Sequence, residues 1–295
     1  MTRRITALAN QKGGVGKTTT AINLAACLAE SRRRVLLVDL DPQANATSGL
    51  DVRPGKGDSI YGVLLGDGSI LDKVRKTGVA GLDLIPSELD LAGAEIDVAR
   101  SENYMHRFRA ALAPLVNSNQ YDDVIVDCPP SLGILTVNAL AASDSIIVPI
   151  QCEYYALEGL SVISRIVEQI RASGANPDLE IEGVLMTMFD ARTNLSQQVV
   201  DEVRRHFGEK VYETVIPRTV RLSEAPSYGQ PIITYDSRSS GAQAYRQFTR
   251  EFLKRRRTQA AASQSTPGAA EPLAGTAPAP ALLTGPPEMK RNGAP

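Results

Sequence analysis

The sequence predicts an α/β domain built on a doubly wound, mostly parallel sheet. Short apolar runs alternate with stretches of helical periodicity along most of the chain, which is the pattern of strands joined by crossover helices. Runs such as Val35-Leu36-Leu37-Val38 are continuously apolar, as expected of strands that are covered by helices on both faces. With 295 residues and 43% hydrophobic content, the chain is long enough to form one large core.

The predicted elements alternate from the first strand onward. Strands are predicted at residues 5–9, 35–38, 82–85, 124–126, 146–148, 181–188 and 211–216, and helices at residues 18–31, 157–171, 195–207 and 242–256. Ligands of such sheets bind at the carboxyl ends of the strands. We therefore expect one site to be surrounded by the loops that follow Ala9, Val38, Val126, Ile150 and Met188.

The composition changes near residue 258. The remaining residues are rich in Ala, Pro and Gly and include no aromatic residue. Such a segment cannot bury enough surface to offset the entropy of ordering it. We therefore predict a single domain over residues 1–257 and a disordered tail over residues 258–295, although a tail that binds a partner is an alternative.

Composition also limits the class of protein. The net charge is only −1, so any contact with nucleic acid must come from a local basic patch. Cys27, Cys128 and Cys152 form no C-x-x-C pair, which favours buried thiols in a reducing compartment. No run approaches the roughly 18 apolar residues of a spanning helix, and no targeting segment is recognisable. The sequence predicts a cytoplasmic protein without membrane association.

A Gly-rich turn follows the first predicted strand, with the sequence Lys12-Gly13-Gly14-Val15-Gly16-Lys17-Thr18-Thr19. Glycines allow backbone N–H groups to approach phosphate oxygens, and the helix that follows presents its positive end. Lys17 would reach the β- and γ-phosphates, and the Thr18 hydroxyl would bind Mg²⁺. Lys12 is an additional lysine beside this turn, where we expect it to neutralise phosphate charge; a solvated loop cation is the alternative.

Carboxylates follow two other buried strands. Asp39 and Asp41 come at the end of the run 35–38, and Asp127 comes directly after the run 124–126. An aspartate in the position of Asp127 holds Mg²⁺ directly or through water in phosphoryl-transfer sites. A strand-ending turn with a capping aspartate is the alternative for Asp39 and Asp41. One aspartate after an apolar run is a weak signal, but three such motifs in this order are a strong one.

Together these motifs resemble those of the ParA/MinD ATPases, and most closely the short, Soj-like ParA proteins, over residues 4–254. The resemblance implies a P-loop NTPase fold of the MinD type, with ATP and Mg²⁺ as cofactors. It implies that Lys12 reaches the nucleotide of the partner subunit in a sandwich dimer. It also implies that Asp41 positions the attacking water and that Thr18, Asp39 and Asp127 lie at the Mg²⁺ ion.

The resemblance extends to the remaining contacts. It assigns nucleotide binding to Gly13, Gly14, Val15, Gly16, Lys17, Thr18 and Thr19, and a base pocket to Met188, Asp190, Pro217 and Arg218. It assigns non-specific binding of double-stranded DNA to Arg192 and Arg221. The basic end of the last helix could contribute to the same contact. For that run of charges, however, a solvated helix end is the better interpretation. Residues 153–159 resemble a stretch near the dimer interface, with an ordinary loop and helix start as the alternative.

The function implied by this resemblance is DNA segregation. An ATP-bound homodimer would bind the nucleoid, and a ParB-like partner would stimulate hydrolysis and release it. Three alternatives remain open. A MinD-like ATPase would need a C-terminal amphipathic helix for the membrane, an electron-transfer ATPase of the nitrogenase iron-protein type would need two cluster-binding cysteines per subunit, and an ATP-dependent amide-forming enzyme would need a substrate domain.

Overall fold

The computed structural model describes residues 4–264. Within them, seven strands form one sheet: β1 Arg4–Leu8, β2 Val35–Asp39, β3 Arg75–Lys76, β4 Leu82–Ile85, β5 Asp123–Asp127, β6 Ser145–Gln151 and β7 Glu180–Thr187. The α-helices of the described residues are α1 Lys17–Glu30, α2 Asn45–Ser48, α3 Tyr61–Leu65, α4 Ala94–Ala99, α5 Arg107–Ser118, α6 Ile134–Ala142, α7 Ala156–Ala172, α8 Asn194–Phe207, α9 Val220–Glu224, α10 Ile232–Tyr235 and α11 Ser240–Gln264. Short 3₁₀ helices lie at Ile70–Lys73, Leu89–Gly93, Tyr104–His106, Gly208–Lys210 and Ala225–Tyr228.

The sheet is parallel except at one edge. Its strand order is β3-β4-β2-β5-β1-β6-β7, and only the two-residue strand β3 runs antiparallel to its neighbour. The first strand therefore lies in the interior, between β5 and β6. The predicted doubly wound, mostly parallel sheet is confirmed, and the loop after β1 has the ends of two other strands beside it.

Alternate residues of the strands belong to two separate hydrophobic layers. In β2, Leu36 and Val38 pack in the layer that contains α5, α6, α7 and α8. Val35 and Leu37 pack in the other layer, with α1 and α11. Because both faces of each central strand are covered, both sets of side chains are apolar, which explains the continuous runs in the sequence.

The prediction of a strand at residues 211–216 is wrong. An isolated bridge pairs Val211 with Val184, and another pairs Pro217, just after the segment, with Phe189. Between them, the carboxylate of Glu251 accepts hydrogen bonds from the backbone N–H groups of Glu213 and Thr214, at 2.8 and 3.0 Å. A side chain of α11 thus satisfies the donors that a regular ladder would otherwise pair.

The last helix is longer than the predicted helix of residues 242–256. Helix α11 continues to Gln264, so residues 258–264, which we predicted to begin the disordered tail, are helical. Contacts divide the chain into a unit of residues 1–255 and a second unit from residue 256. The boundary at residue 257 stays a prediction, and the rest of the predicted tail lies outside the described residues. No helix of residues 4–264 combines the length and the hydropathy needed to cross a membrane.

Candidate nucleotide-binding site

Loops from neighbouring strands meet at the carboxyl edge of the sheet. The N–H of Cys128, just after β5, donates to the carbonyl of Leu8 in β1 at 3.2 Å, and the N–H of Leu40, just after β2, donates to the carbonyl of Asp127 at 3.0 Å. These bonds continue the ladder beyond the strands and hold the three loops together. The structure therefore brings the predicted motifs to one place, as strand order alone requires.

The Gly-rich turn has the backbone of an anion-binding loop. Gly14 and Gly16 have φ angles of 74° and 86°, in the left-handed region that favours glycine. Helix α1 starts directly after Gly16, without a side-chain cap and without an acidic residue in its first turn. Its free N–H groups and the positive end of its dipole are therefore available to a phosphate.

Two residues outside the predicted set fasten this turn. The amide of Asn10 donates to the carbonyl of Pro149 in β6 at 2.8 Å and accepts from the N–H of Lys12 at 3.0 Å. The hydroxyl of Thr187, the last residue of β7, donates to the carbonyl of Val15 at 2.8 Å. Sequence reasoning missed both, although each is a polar residue at the end of an apolar strand, which is the available signal.

Lys17 lies inside the turn rather than in solvent. Its side chain is buried, and its ammonium donates to the carbonyl of Lys12 at 3.1 Å. Burial lowers the pKa of this lysine, while the carboxylate of Asp127 opposes the shift. An amine held this way is oriented for phosphate oxygens before any ligand arrives.

Asp127 is a buried carboxylate, and neither of its oxygens has a hydrogen-bond partner among the described residues. Burial raises its pKa well above the usual value, and the charge of Asp39 raises it further, while the adjacent Thr18 hydroxyl and the Lys17 ammonium oppose the shift. Such a group is costly unless it meets a cation. The donor set therefore fits Mg²⁺, which Asp127 and the nearby Thr18 hydroxyl would hold, and the ion would neutralise the phosphate charge of a bound nucleotide.

Asp39 has a different set of partners. It lies opposite Asp127 in the register of β2 and β5, but its oxygens accept from the Asp41 N–H at 3.1 Å and from the N–H and hydroxyl of Thr47 at 2.8 and 2.7 Å. Burial raises the pKa of Asp39 to about 6, against the effect of the Thr47 bonds. These bonds anchor the loop after β2, and a role for Asp39 at the metal stays a prediction.

Asp41 occupies a tight turn on this loop. The residue is 5% exposed, its Oδ1 accepts the Gln43 N–H at 3.0 Å, and its carbonyl accepts the Ala44 N–H at 2.8 Å. Ala44 has a φ angle of 53°, which is uncommon for a residue with a side chain and costs about 1–2 kcal/mol. The strand-ending turn is therefore present, and it holds a strained conformation beside the phosphate loop.

Lys12 reaches outward from the loop. Its ammonium is 2.9 Å from Glu153 Oε2, and the two side chains are 43% and 47% exposed. An ion pair this exposed contributes about 0–1 kcal/mol, so it can be exchanged for another partner at little cost. The next residues, Tyr154 and Tyr155, are exposed and stack edge to face with ring centroids 5.3 Å apart. Sequence reasoning did not identify Glu153 as the partner of Lys12.

The segments predicted to form a base pocket also meet. The N–H of Phe189 donates to the carbonyl of Ile216 at 3.0 Å, and the N–H of Arg218 donates to the carbonyl of Phe189 at 2.9 Å. These bonds bring Met188 and Asp190 alongside Pro217. Met188 itself has a φ angle of 53°, a second strained residue at this edge of the sheet. Contact of these residues with a base stays a prediction.

Both arginines predicted to bind DNA have acidic partners. Arg192 forms a forked pair with Asp190, at 2.9 and 2.7 Å, and this pairing lowers the pKa of Asp190 to about 2. Arg221 lies 3.2 Å from Glu224 and 3.6 Å from Asp236. Each guanidinium is exposed, but its charge is countered locally in this conformation.

The three cysteines are buried. Burial raises the pKa of Cys128 beyond the usual thiol range, and it raises the pKa of Cys27 and of Cys152 to about 12. Thiols in this state are protonated and unreactive at neutral pH. The packing role expected for Cys128 agrees with this environment.

The chain is similar to known nucleotide-binding proteins along most of its length. A family model described as "AAA domain" matches residues 3–181. The chain is 50% identical to the chromosome partitioning protein ParA of Caulobacter vibrioides, over 86% of this chain and 95% of that protein. It is 52% identical to the chromosome-partitioning ATPase Soj of Thermus thermophilus, over 86% and 96%. A crystal structure of cobyrinic acid a,c-diamide synthase from Mycobacterium smegmatis, with ADP and magnesium, is 39% identical with a TM-score of 0.76, over 87% of this chain and 96% of that one.

Proposed function

Because the chain belongs to the ParA/Soj family of partitioning ATPases, we propose that it is an ATP-driven switch for DNA segregation, in which the ATP-bound form self-associates and binds duplex DNA without sequence preference. The protein is a Mg²⁺-dependent ATPase. The observation that carries the proposal is that the two lysines of the Gly-rich turn lie in different environments. Lys17 is buried within the phosphate loop, whereas Lys12 is half exposed on its rim.

The arrangement supports a hydrolysis step that depends on positioning. Lys17 and the N–H groups at the start of α1 hold the phosphates, and Asp41 holds the attacking water in line with the γ-phosphoryl group. Lys12 leaves Glu153 and contacts the nucleotide of a second copy of the chain. The residues around Tyr154 and Tyr155 lie at the same rim and provide apolar area for that copy.

Binding of DNA rests on Arg192 and Arg221. Each has a carboxylate partner in the isolated chain, so one copy offers phosphates little net attraction. Two copies held together double the number of contacts, and each phosphate contact releases counterions. Hydrolysis, stimulated by a ParB-like centromere-binding partner, separates the copies and releases the DNA. The protein would thus associate with the nucleoid in the cytoplasm.

Arg221→Ala tests the DNA contact. We expect it to weaken duplex binding in the presence of a non-hydrolysable ATP analogue and to reduce the slope of log affinity against log salt by about 1 per lost phosphate contact. Affinity and slope can be measured by fluorescence anisotropy with ATP analogue, with ADP and without nucleotide. Arg109→Ala is the matched control, because Arg109 is an exposed arginine on α5, in the opposite layer of the sheet. An equal loss of duplex affinity in both variants would count against the proposal. So would duplex binding by the wild-type protein that is equally strong without nucleotide.

Asp127→Asn tests the metal site. Without nucleotide, we expect the variant to be more stable by about 1 kcal/mol, because a neutral amide replaces a buried carboxylate that accepts no hydrogen bond from the described residues. With nucleotide, we expect Mg²⁺ no longer to increase the affinity for the ATP analogue. Thermal melting with and without EDTA measures both effects. An Mg²⁺-dependent increase in melting temperature equal to that of the wild type would show that Asp127 does not hold the ion.

A second candidate function is ATP-dependent amide formation. It is favoured by the name of the Mycobacterium smegmatis protein, which the chain matches over 96% of its length at 39% identity. The two activities separate by what stimulates hydrolysis. ATP turnover that rises with cobyrinic acid and an ammonia donor, and not with duplex DNA, would favour amide formation.

A further inference from the structure

Residues 219–236, which we call the arginine segment, carry Arg221 and pack against helix α1 and against the turn at Asp51 that follows α2. We infer that this segment transmits the state of the nucleotide site to Arg221. In this coupling, the loop after β2 acts on the segment through Gly229. The inference rests on the proposed function only in taking Arg221 as a DNA contact. The coupling itself concerns the chain alone.

The first contact joins the arginine segment to the loop that carries Asp41. After this loop the chain forms α2 and turns at Asp51, and the backbone of Gly229 lies directly against that turn. A Cβ atom built on Gly229 would be 2.5 Å from the Cβ of Asp51 and 3.1 Å from its Cα and N atoms. Gly229 and Asp51 both have left-handed φ angles, of 63° and 53°. Because the backbone of Gly229 packs directly against the Cβ and the backbone of Asp51, a shift of either turn toward the other displaces it.

The second contact joins the arginine segment to the helix of the phosphate loop. Asn23 lies one turn after Thr19 in α1, and its amide donates to the Thr19 carbonyl at 2.7 Å. Its Oδ1 accepts the N–H of Ile232 at 2.7 Å, and this bond is buried. A shift of α1 on phosphate binding would therefore reach the same segment, three residues beyond Gly229.

The segment acts on Arg221 through the carboxylates that lie near its guanidinium. Glu224 lies in the same helix as Arg221, but Asp236 lies on the far side of the turn that Gly229 and Ile232 anchor. The hydroxyl of Tyr235 donates to Glu224 at 3.1 Å and ties the two sides of this turn together. Two carboxylates within 4.0 Å of one guanidinium give the group a net negative charge, so a displacement of the turn changes how much positive charge a phosphate meets.

Gly229→Ala tests the coupling against a matched control. Gly66, at the end of α3, also lies in the left-handed αL region, with φ of 99° and ψ of 9°, but a Cβ built there meets nothing within 4 Å. Gly66→Ala therefore introduces the same kind of backbone strain as Gly229→Ala, where φ and ψ are 63° and 27°, without the contact. Hydrogen–deuterium exchange of residues 219–236 is measured in the full chain with Mg²⁺, in the presence and in the absence of the ATP analogue. The affinities of each variant for the analogue and for duplex DNA are measured in parallel.

We expect the analogue to change exchange in the arginine segment of the wild type and of Gly66→Ala, but not of Gly229→Ala. We expect Gly229→Ala to keep its analogue affinity within about twofold while its analogue-dependent DNA affinity falls by about fivefold or more. Asp51→Gly removes the Cβ that the new methyl group meets. In the Gly229→Ala background it is expected to restore part of the response.

Asn23→Ala gives an independent test, because it removes the second contact without adding an atom. It is expected to reduce the exchange response of the segment. Unchanged exchange in the wild type on addition of the analogue, or a wild-type response in both Gly229→Ala and Asn23→Ala, would overturn the coupling. A normal exchange response in a wild-type protein that does not bind DNA would instead overturn the proposed function and leave the coupling supported.

Discussion

Asp41→Ala is expected to lower ATP hydrolysis by about 100-fold or more, the range for loss of a group that positions or deprotonates a reactant, while ATP binding is kept. In the proposed mechanism the phosphates are held by Lys17 and by the loop N–H groups, and the change leaves both in place. The ATP-bound, DNA-bound dimer should therefore accumulate. Phosphate release, analogue affinity and DNA retention after dilution measure the three effects.

Asp41→Asn is the control for this prediction. Oδ1 of Asp41 accepts the Gln43 N–H, and the carbonyl oxygen of an asparagine can make the same bond. The turn is then preserved while the carboxylate is lost. Hydrolysis should fall in both variants if the carboxylate acts on the water. Activity retained in Asp41→Asn would assign Asp41 to the turn alone.

Lys12→Ala is expected to prevent self-association while leaving the affinity of one chain for ATP nearly unchanged. Removing one partner of a charge pair that is buried at an interface typically costs about 2–5 kcal/mol, or about 30-fold or more in the dimerisation constant. Light scattering at several protein concentrations, with the ATP analogue and Mg²⁺, measures that constant. DNA binding should be lost together with the dimer.

Glu153→Gln separates the two roles of Lys12. It breaks the ion pair with Lys12 but keeps the lysine charge, so we expect the variant to dimerise at least as well as the wild type. If both variants were monomeric, the ion pair within one chain would be the important contact. A dimer of normal stability in Lys12→Ala would exclude the action of this lysine on a partner's nucleotide.

The parts of the fold that could be predicted are those in which local pattern and tertiary environment agree. The strands of the central sheet were predicted to within a few residues, because a strand covered on both faces must be apolar throughout. Helix α6 was missed for a related reason. Most of its residues are buried, so it lacks the polar face by which a helix is recognised. Helix α5 was missed as well, and it contains Pro114, which interrupts a helical pattern.

The candidate site divides in the same way. Lys17, Thr18 and Asp127 were predicted because loop chemistry requires these residue types at this spacing. Asn10, Thr187 and Thr47 were not predicted, because each holds the site through a hydrogen bond to a residue that is distant in sequence or lies across a loop. The error at residues 211–216 has the same origin, since Glu251 lies 38 residues after Glu213.

By itself, the sequence determined the class of fold, the positions of the six parallel strands and the phosphate chemistry, since apolar runs and a Gly-rich turn carry that information locally. Only the tertiary structure decided which charged side chains form ion pairs within the single chain. Lys12 with Glu153, Arg192 with Asp190 and Arg221 with Glu224 are ion pairs, whereas Asp127 is buried without a partner among the described residues. The physical reason is that charge interactions depend on distance and burial, which sequence spacing does not specify.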